Sequence, residues 1–440
     1  MKKKVFSLDR QFSTTIDYIC PDRRRMISEN FIRGSIPRGS GISYVAASFS
    51  EGGISVSMKN FNCILDFDEE NSWVEVESGC TLGQLFEFLA PRGYQLPVQP
   101  GYPHITIGGC IAGNVHGKNH PKEGVFGRHI KSLKIFHPSY GVVDCSSSFK
   151  RDLFEITIGG LGLTGVILST RLSVIPLVGK YVDERHIPTS CIEDTFDKLL
   201  TLHDQFDMAY AFMDLSRPRS KNLGRGFIVS GSVNQSAQFK KVRLSHSNLN
   251  LEISDRAWPK IFNSFSMPLI NAMYRAKALS LDSENIINIA NFLFPSLGKE
   301  SYYYSFGRPG FIEQQILLPF NRINLYLENF RNIFYKNNIG AMLATLKIFQ
   351  GGSAKFLQYD GNGYSFTIDI PATPEAKILL CELDELNINF GAITSVLKDG
   401  RLSANVVCRQ YPEYIKFKEA LQQFNPDNYF SSELSRRLDL

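Results

Sequence analysis

The stretch Gly160-Leu161-Gly162-Leu163-Thr164-Gly165 limits the fold more than any other feature of the chain. It spells G-x-G-x-x-G, the signature of a dinucleotide-binding turn. Such a turn must leave a strand and open a helix, whose first amides then hold a pyrophosphate. Here the next residues run Val166-Ile167-Leu168-Ser169-Thr170-Arg171-Leu172-Ser173-Val174-Ile175 and stop at Pro176. A β-branched run closed by proline predicts a strand. The motif therefore fails its context test, and the Rossmann arrangement is excluded. Gly113-x-x-x-Gly117-Lys118 has the wrong spacing for a Walker A loop and no Ser or Thr behind it. No Gly-x-Ser-x-Gly elbow supports a serine hydrolase.

The composition is globular, with 43% hydrophobic and 21% charged residues, and 440 residues predict more than one domain. The net charge of +5 comes without basic blocks beyond Lys2–Lys4 and Arg23–Arg25. It argues against a nucleic-acid binder and leaves room for an anionic ligand or a membrane surface. The 8 cysteines stand singly and form no C-x-x-C pair. They read as reduced, buried thiols of a cytosolic protein. The N-terminus is basic but has no apolar run behind it, so no secretory signal is expected. The most apolar stretch, Ile156 to Val178, is interrupted by glycines, Arg171 and Pro176, so no membrane span is expected.

The first ~180 residues are rich in glycine and in alternating patterns. Strands are expected at Gly53–Met58 and Trp73–Gly79, and a helix at Thr81–Leu89 with Thr81 as its N-cap. Beyond about residue 185 glycine thins out and aromatics multiply. Alternation returns at Gln314–Pro319 and Tyr364–Pro371, and helical spacing at Leu325–Phe334. The segment Trp258 to Leu297 mixes aromatics and Met with Lys and Arg. It reads either as a core helix pair or as a surface at a lipid headgroup boundary. The fold class is α+β.

Two glycine loops carry the chemical signal. Pro37-Arg38-Gly39-Ser40-Gly41-Ile42-Ser43-Tyr44 precedes a strand; it is either an ordinary turn or a nest of amides facing an anion. Pro100 to His120 crowds Gly, Asn and His together, and only glycine lets backbone come close to a planar ring or a pyrophosphate. His116 and His120 have metal-ligand spacing. Gly117 and Pro121 oppose a shared helix, and no Glu fills the base position, so no metal is expected. His129 reads as structural, Lys398 alone as a turn lysine, and Tyr302-Tyr303-Tyr304 alone as packing.

In order, these segments resemble the vanillyl-alcohol-oxidase-type FAD-binding family. The Arg38–Tyr44 loop, the Thr106-Ile107-Gly108-Gly109 turn running on to Gly113-Asn114-Val115-His116, and the Gly162–Gly165 turn carry the likeness. Within the family, His116-Gly117-Lys118-Asn119-His120 and Gly124–Gly127 are similar to the decaprenylphosphoryl-ribose 2′-oxidases. That likeness continues through Gln315–Pro319, Leu346–Phe349, Thr367–Pro371 and Leu397–Asp399 to Ser435–Leu438. It implies a two-subdomain FAD-binding domain over 1–185, a mixed substrate domain with an antiparallel sheet over 186–390, and a segment over 391–440 returning to the first.

The resemblance further implies FAD contacts from Arg38, Gly39, Ser40, Gly41, Ile42, Ser43 and Tyr44. Further contacts would come from Gly101, from Thr106, Ile107, Gly108 and Gly109, and from Gly113, Asn114, Val115 and His116. Val166, Ile167 and Ser395 complete the set. Lys398, His116 and Tyr44 would be catalytic; Gln315, Lys347 and Lys398 would hold the substrate. The implied reaction takes a ribosyl C2′ carbinol of a polyprenyl phosphate to the 2′-keto sugar. It is the first half of an epimerisation to arabinose in cell-wall arabinan biosynthesis, completed by a separate NAD(P)H-dependent reductase. Peripheral contact with the inner face of the plasma membrane follows. Ile42 stands where some relatives attach FAD through His, so FAD is expected to be non-covalent. Tyr44-Val45-Ala46 replaces a frequent Tyr-Gly-Asp, and Thr367 replaces a Cys. Two alternatives stay open: an FAD-linked oxidase of a soluble alditol, lactone or nucleoside sugar, and an inactive flavin-binding scaffold.

Overall fold

A computed structural model describes residues 1–235, 258–280, 285–352 and 354–440. Parts of the segment Trp258 to Leu297, residues 281–284, lie outside the described residues.

Two sheets organise the N-terminal part. In the first, Lys2–Phe6 pairs antiparallel with Ser13–Ile19, which continues through Ile54–Ser57 to Ser35–Arg38 by parallel pairing. In the second, the order is Ile64–Asp68, Trp73–Glu77, Val166–Ser173, Ile130–His137, Gly141–Ser146, all antiparallel. The expected strand after Gly165 is thus the centre of a sheet. Gly162 and Gly165 take φ of 78° and 144°, and the turn they make admits no helix start. The helix Leu82–Leu89 begins as expected, with Thr81 and Gln84 closing a capping box.

The larger sheet has eight strands, in the order Asn285–Asn288, Tyr181–Thr189, Gly226–Asn234, Met208–Met213, Leu343–Gln350, Asn362–Pro371, Phe311–Leu318, Ile393–Thr394. Strand alternation sorts its residues between two faces. Ile312, Ile316, Leu318, Ala344, Leu346, Ile348, Phe366, Ile368 and Ile370 are buried with the helices Ile192–Leu202, Ile323–Asn337 and Pro374–Asn389 in one core. The intervening residues Glu313, Gln315, Leu343, Thr345, Lys347, Thr367 and Asp369 face a cavity on the other side. Leu343 apart, these inner residues are polar or charged, whereas the outer face is mainly apolar.

After Ile393–Thr394 the chain leaves this sheet. The helices Tyr414–Phe424 and Glu433–Arg437 share a core with Ile36, Val56, Phe136 and Ile156 of the N-terminal sheets. Lys398 sits at the crossing, four residues past the last strand residue, Thr394.

Candidate active site

The cavity lies between the glycine loops and the inner face of the eight-stranded sheet and encloses about 880 Å³. Gly39, Ser40, Gly41, Ile42, Ser43, Gly101, Thr106, Gly108, Gly109, Gly113, Asn114, Val115 and Ile167 line it from one side. Glycine is required at two of these positions. A Cβ on Gly39 would sit 2.2 Å from Thr106 Oγ1, so its absence lets the two loops close on each other. Gly41 has φ +72°, and its Cβ would meet the Arg38 guanidinium at 2.1 Å. The amides of Ser40 through Tyr44 meet no acceptor among the described residues. A run of consecutive unpaired N–H groups beside a cavity is a nest for an anion. The residues present therefore fit the phosphates of a dinucleotide, and the glycine wall admits a flat ring.

Three residues expected at the cofactor lie off this wall. Arg38 is buried, with Nη1 donating to Ser48 Oγ at 2.8 Å and its guanidinium near the Phe49 ring. Ile107 and Val166 are fully buried in the cores behind the wall, because their places in a helix and a central strand turn them inward. His116 and His120 also part company. His120 opens the short helix His120–Glu123, where Pro121 falls in the first turn and loses no hydrogen bond. Its Nε2 meets Asp360 Oδ1 at 3.0 Å, and it stacks on Phe349. His116 lies before that helix and reaches the cavity. Among the described residues no His/Cys/Asp/Glu group has metal-holding geometry. His129 is held by the Glu123 carbonyl.

The opposite wall is made of side chains. Lys398 Nζ lies 2.9 Å from Glu313 Oε1 and 3.8 Å from the centre of the Tyr44 ring. Gln315 Nε2 meets His116 Nε2 at 3.2 Å. Burial, reinforced by Lys347, holds the His116 imidazole well below its usual range, so it is neutral at neutral pH. Its Nδ1 faces the Gly117 carbonyl at 3.2 Å, which suits a proton on Nδ1 and leaves Nε2 to accept from Gln315. Lys347 is pulled down to about 8 by burial and by the Lys398 cation. Lys118, also on the cavity, is lowered by burial and by Lys347.

Several cavity residues carry no sequence signal as site residues. Tyr302 and Tyr303 line the cavity rather than merely packing: the Tyr302 hydroxyl donates to Asp369 Oδ2 at 2.6 Å, and the Tyr303 and Tyr44 hydroxyls lie 3.4 Å apart. Glu313, Asp369, Lys118 and Lys299 join them. Period-2 alternation with Gln315 and Thr367 could have brought Glu313 and Asp369 to notice. No local pattern marks the lysines. The helix Ser266–Leu279 closes one side, with Ile270, Asn271 and Tyr274 on the cavity.

A glycine-walled dinucleotide cradle facing a buried lysine, imidazole and carboxyl cluster defines a flavin-dependent oxidoreductase. Residues 33–146 match the family model for an FAD binding domain. Over 425 residues, 93% of this chain and 90% of the relative, the chain is 28% identical to the decaprenylphosphoryl-beta-D-ribose oxidase of Mycolicibacterium smegmatis. It is 28% identical to the D-lactate dehydrogenase of Anaerostipes hadrus over 40% of this chain and 39% of the relative. It is 27% identical to the L-gulonolactone oxidase of Mus musculus over 39% of this chain and 37% of the relative. The chain is an FAD-dependent oxidoreductase of α+β fold, built on an FAD-binding domain of the vanillyl-alcohol-oxidase type and resembling the decaprenylphosphoryl-ribose oxidases. That replaces the scaffold alternative. Among the described residues no helix is long and apolar enough to cross a membrane.

Proposed function

We propose that this chain oxidises the C2′ carbinol of a polyprenylphosphoryl ribose to the 2′-keto sugar, as the first half of epimerisation to arabinose for cell-wall arabinan. The reading rests above all on the similarity to the M. smegmatis oxidase, which spans nearly the whole of both chains. The cavity's chemistry supports it. Residues 1–185 supply the cofactor side, 186–390 the substrate side, and 391–440 bring back Lys398. Gln315, Thr345 and Thr367 form a polar row suited to sugar hydroxyls, and Lys347 suits the phosphate. Bound FAD supplies the hydride acceptor. Ile42 offers no nucleophile for attachment, so the FAD is held without a covalent bond. His116 and Tyr44 orient the sugar, and Lys398 stabilises negative charge that arrives with the hydride. A separate NAD(P)H-dependent reductase consumes the keto product.

The lipid tail gives a reason for the exposed stripe on the cavity-closing helix. Phe265, Leu269 and Met273 fall four residues apart and are 90%, 62% and 64% exposed. Lys260, Arg275 and Lys277 flank them, as a peripheral contact with an anionic bilayer requires. Anaerobic mixing of the FAD-loaded protein with a short-chain polyprenylphosphoryl ribose is the test. Bleaching of the flavin bands and a 2′-keto product are expected. No bleaching with that sugar, but bleaching and hydrogen peroxide release with a soluble lactone or alditol, would favour the second reading. The partial likeness to L-gulonolactone oxidase supports that second reading.

A further inference from the structure

Oxidation of a carbinol releases a hydride from carbon and a proton from oxygen, and the reading above leaves the proton without a destination. Lys398 is already paired with Glu313. His116 Nε2 is turned to the Gln315 amide. Two carboxyl groups remain on the cavity, and they are neighbours. Glu313 and Asp369 stand directly opposite each other in the antiparallel pair Phe311–Leu318 and Asn362–Pro371, on the face turned to the cavity. They are 6% and 2% exposed.

Two buried carboxylates side by side repel, so such a pair keeps one proton between them. The surroundings say which carboxyl keeps it. Glu313 Oε1 has the Lys398 ammonium at 2.9 Å. Asp369 accepts from the Tyr302 hydroxyl at Oδ2 and has the Glu313 carboxyl and, further off, Lys398 beside it, while Oδ1 meets no hydrogen-bond donor among the described residues. An orphaned buried carboxylate oxygen is costly, and a proton on it removes the cost. Burial first, and the Glu313 charge second, push the Asp369 carboxyl well above the usual range. A proton kept on Asp369 leaves the pair one negative charge, set beside the Lys398 ammonium. Tyr44, Tyr302 and Tyr303 and the lysines 347 and 398 are the other titratable groups facing it.

We infer that Glu313 is the base of the reaction: its carboxylate takes the carbinol hydroxyl proton as the hydride leaves carbon for FAD, with Asp369 as the proton-holding partner opposite it. The balance closes. The O–H and C–H bonds break, the C=O bond forms, FAD gains two electrons with the hydride, and Glu313 gains the proton. Neutralising Glu313 also releases the Lys398 cation to balance the charge the hydride brings. This inference rests on the carbinol-oxidase reading and assigns a step within it.

Two measurements on the FAD-loaded protein test it. Infrared difference spectroscopy at neutral pH without substrate should show the C=O band of a protonated buried carboxyl, lost in Asp369→Asn and, with the repelling charge removed, weakened in Glu313→Gln. Absence of that band in the wild type would overturn the shared-proton pair. Stopped-flow reduction by polyprenylphosphoryl ribose should slow at least ~10²-fold in Glu313→Gln, with the acidic limb of its pH profile abolished. Glu313→Asp should keep that limb, and so should Asp369→Asn. Reduction of Glu313→Gln at the wild-type rate, or with an unchanged acidic limb, would remove Glu313 as the base while leaving the carbinol reading intact. A wild type that no carbinol reduces would defeat the carbinol reading and the base together.

Discussion

One wall of the cavity is built from backbone and the other from side chains. The glycine wall comes from residues 37–44 and 101–115, two short segments whose character lies in having no side chains to obstruct an approach. The sheet wall comes from Glu313, Gln315, Thr345, Lys347, Thr367 and Asp369, with Lys398 from the returning C-terminal segment. These residues touch only because three strands align in register. The first wall offers amides and close contact, which suit a cofactor of fixed shape. The second offers charges whose protonation states depend on one another, which suits a reacting centre. A backbone wall tolerates almost no added atom, whereas a side-chain wall can lose a group and keep its shape.

That contrast breaks most sharply at Gly41. In Gly41→Val a β-branched residue takes a left-handed conformation costing about 1–2 kcal/mol, and its Cβ overlaps the Arg38 guanidinium. The protein should purify without flavin bands, a loss of at least about tenfold in FAD affinity by titration. Retention of stoichiometric FAD would show that this loop is not the cofactor's wall. Lys398→Ala alters the other wall. It should keep FAD and slow anaerobic flavin reduction by about 10²–10³-fold in stopped-flow traces.

The next effect is a pH dependence. Lys347 ionises near 8 in the fold, against 10.5 for a free lysine, because burial and Lys398 disfavour its charge. A phosphate ligand needs the charged form, so its affinity should fall as pH rises through about 8, by up to about tenfold per unit. Lys347→Met should bind weakly with this component flattened, as isothermal titration would show. The sign for stability is opposite. Between about 8 and 10.5 the folded state holds fewer protons than the unfolded one, so Lys347 makes stability rise with pH there. The smallest effect on the site itself belongs to the stripe outside it. Replacing Phe265, Leu269 and Met273 with Ser should leave reduction by a short-chain substrate within about twofold of wild type. The same change should cut binding to anionic vesicles about tenfold or more in sedimentation, since each residue has apolar area to contribute.

The sequence was legible where neighbours along the chain decide the outcome. Thr81 and Gln84 announce their helix start, and Val166–Ser173 its strand, because capping and alternation are local. The glycine loops by themselves left an ordinary turn and an anion nest open, and only the family resemblance pointed to a cofactor. The side chains of Arg38, Ile107 and Val166 turn away from the cavity because motif membership fixes a segment, not the direction of a side chain within it. Tyr302 and Tyr303 read as packing in the sequence because a run of aromatics looks alike in a core and in a wall.

The sequence by itself determined the α+β class and the failure of the Rossmann reading at Gly160–Gly165. Each depends on backbone conformations that a few adjacent residues allow or forbid. Tertiary structure alone decided that Glu313 faces Asp369, that Lys398 reaches Glu313 and that Gln315 reaches His116. Those contacts join segments far apart in the chain. Their protonation states arise from burial and mutual charge, which exist only once the strands have aligned and water has left.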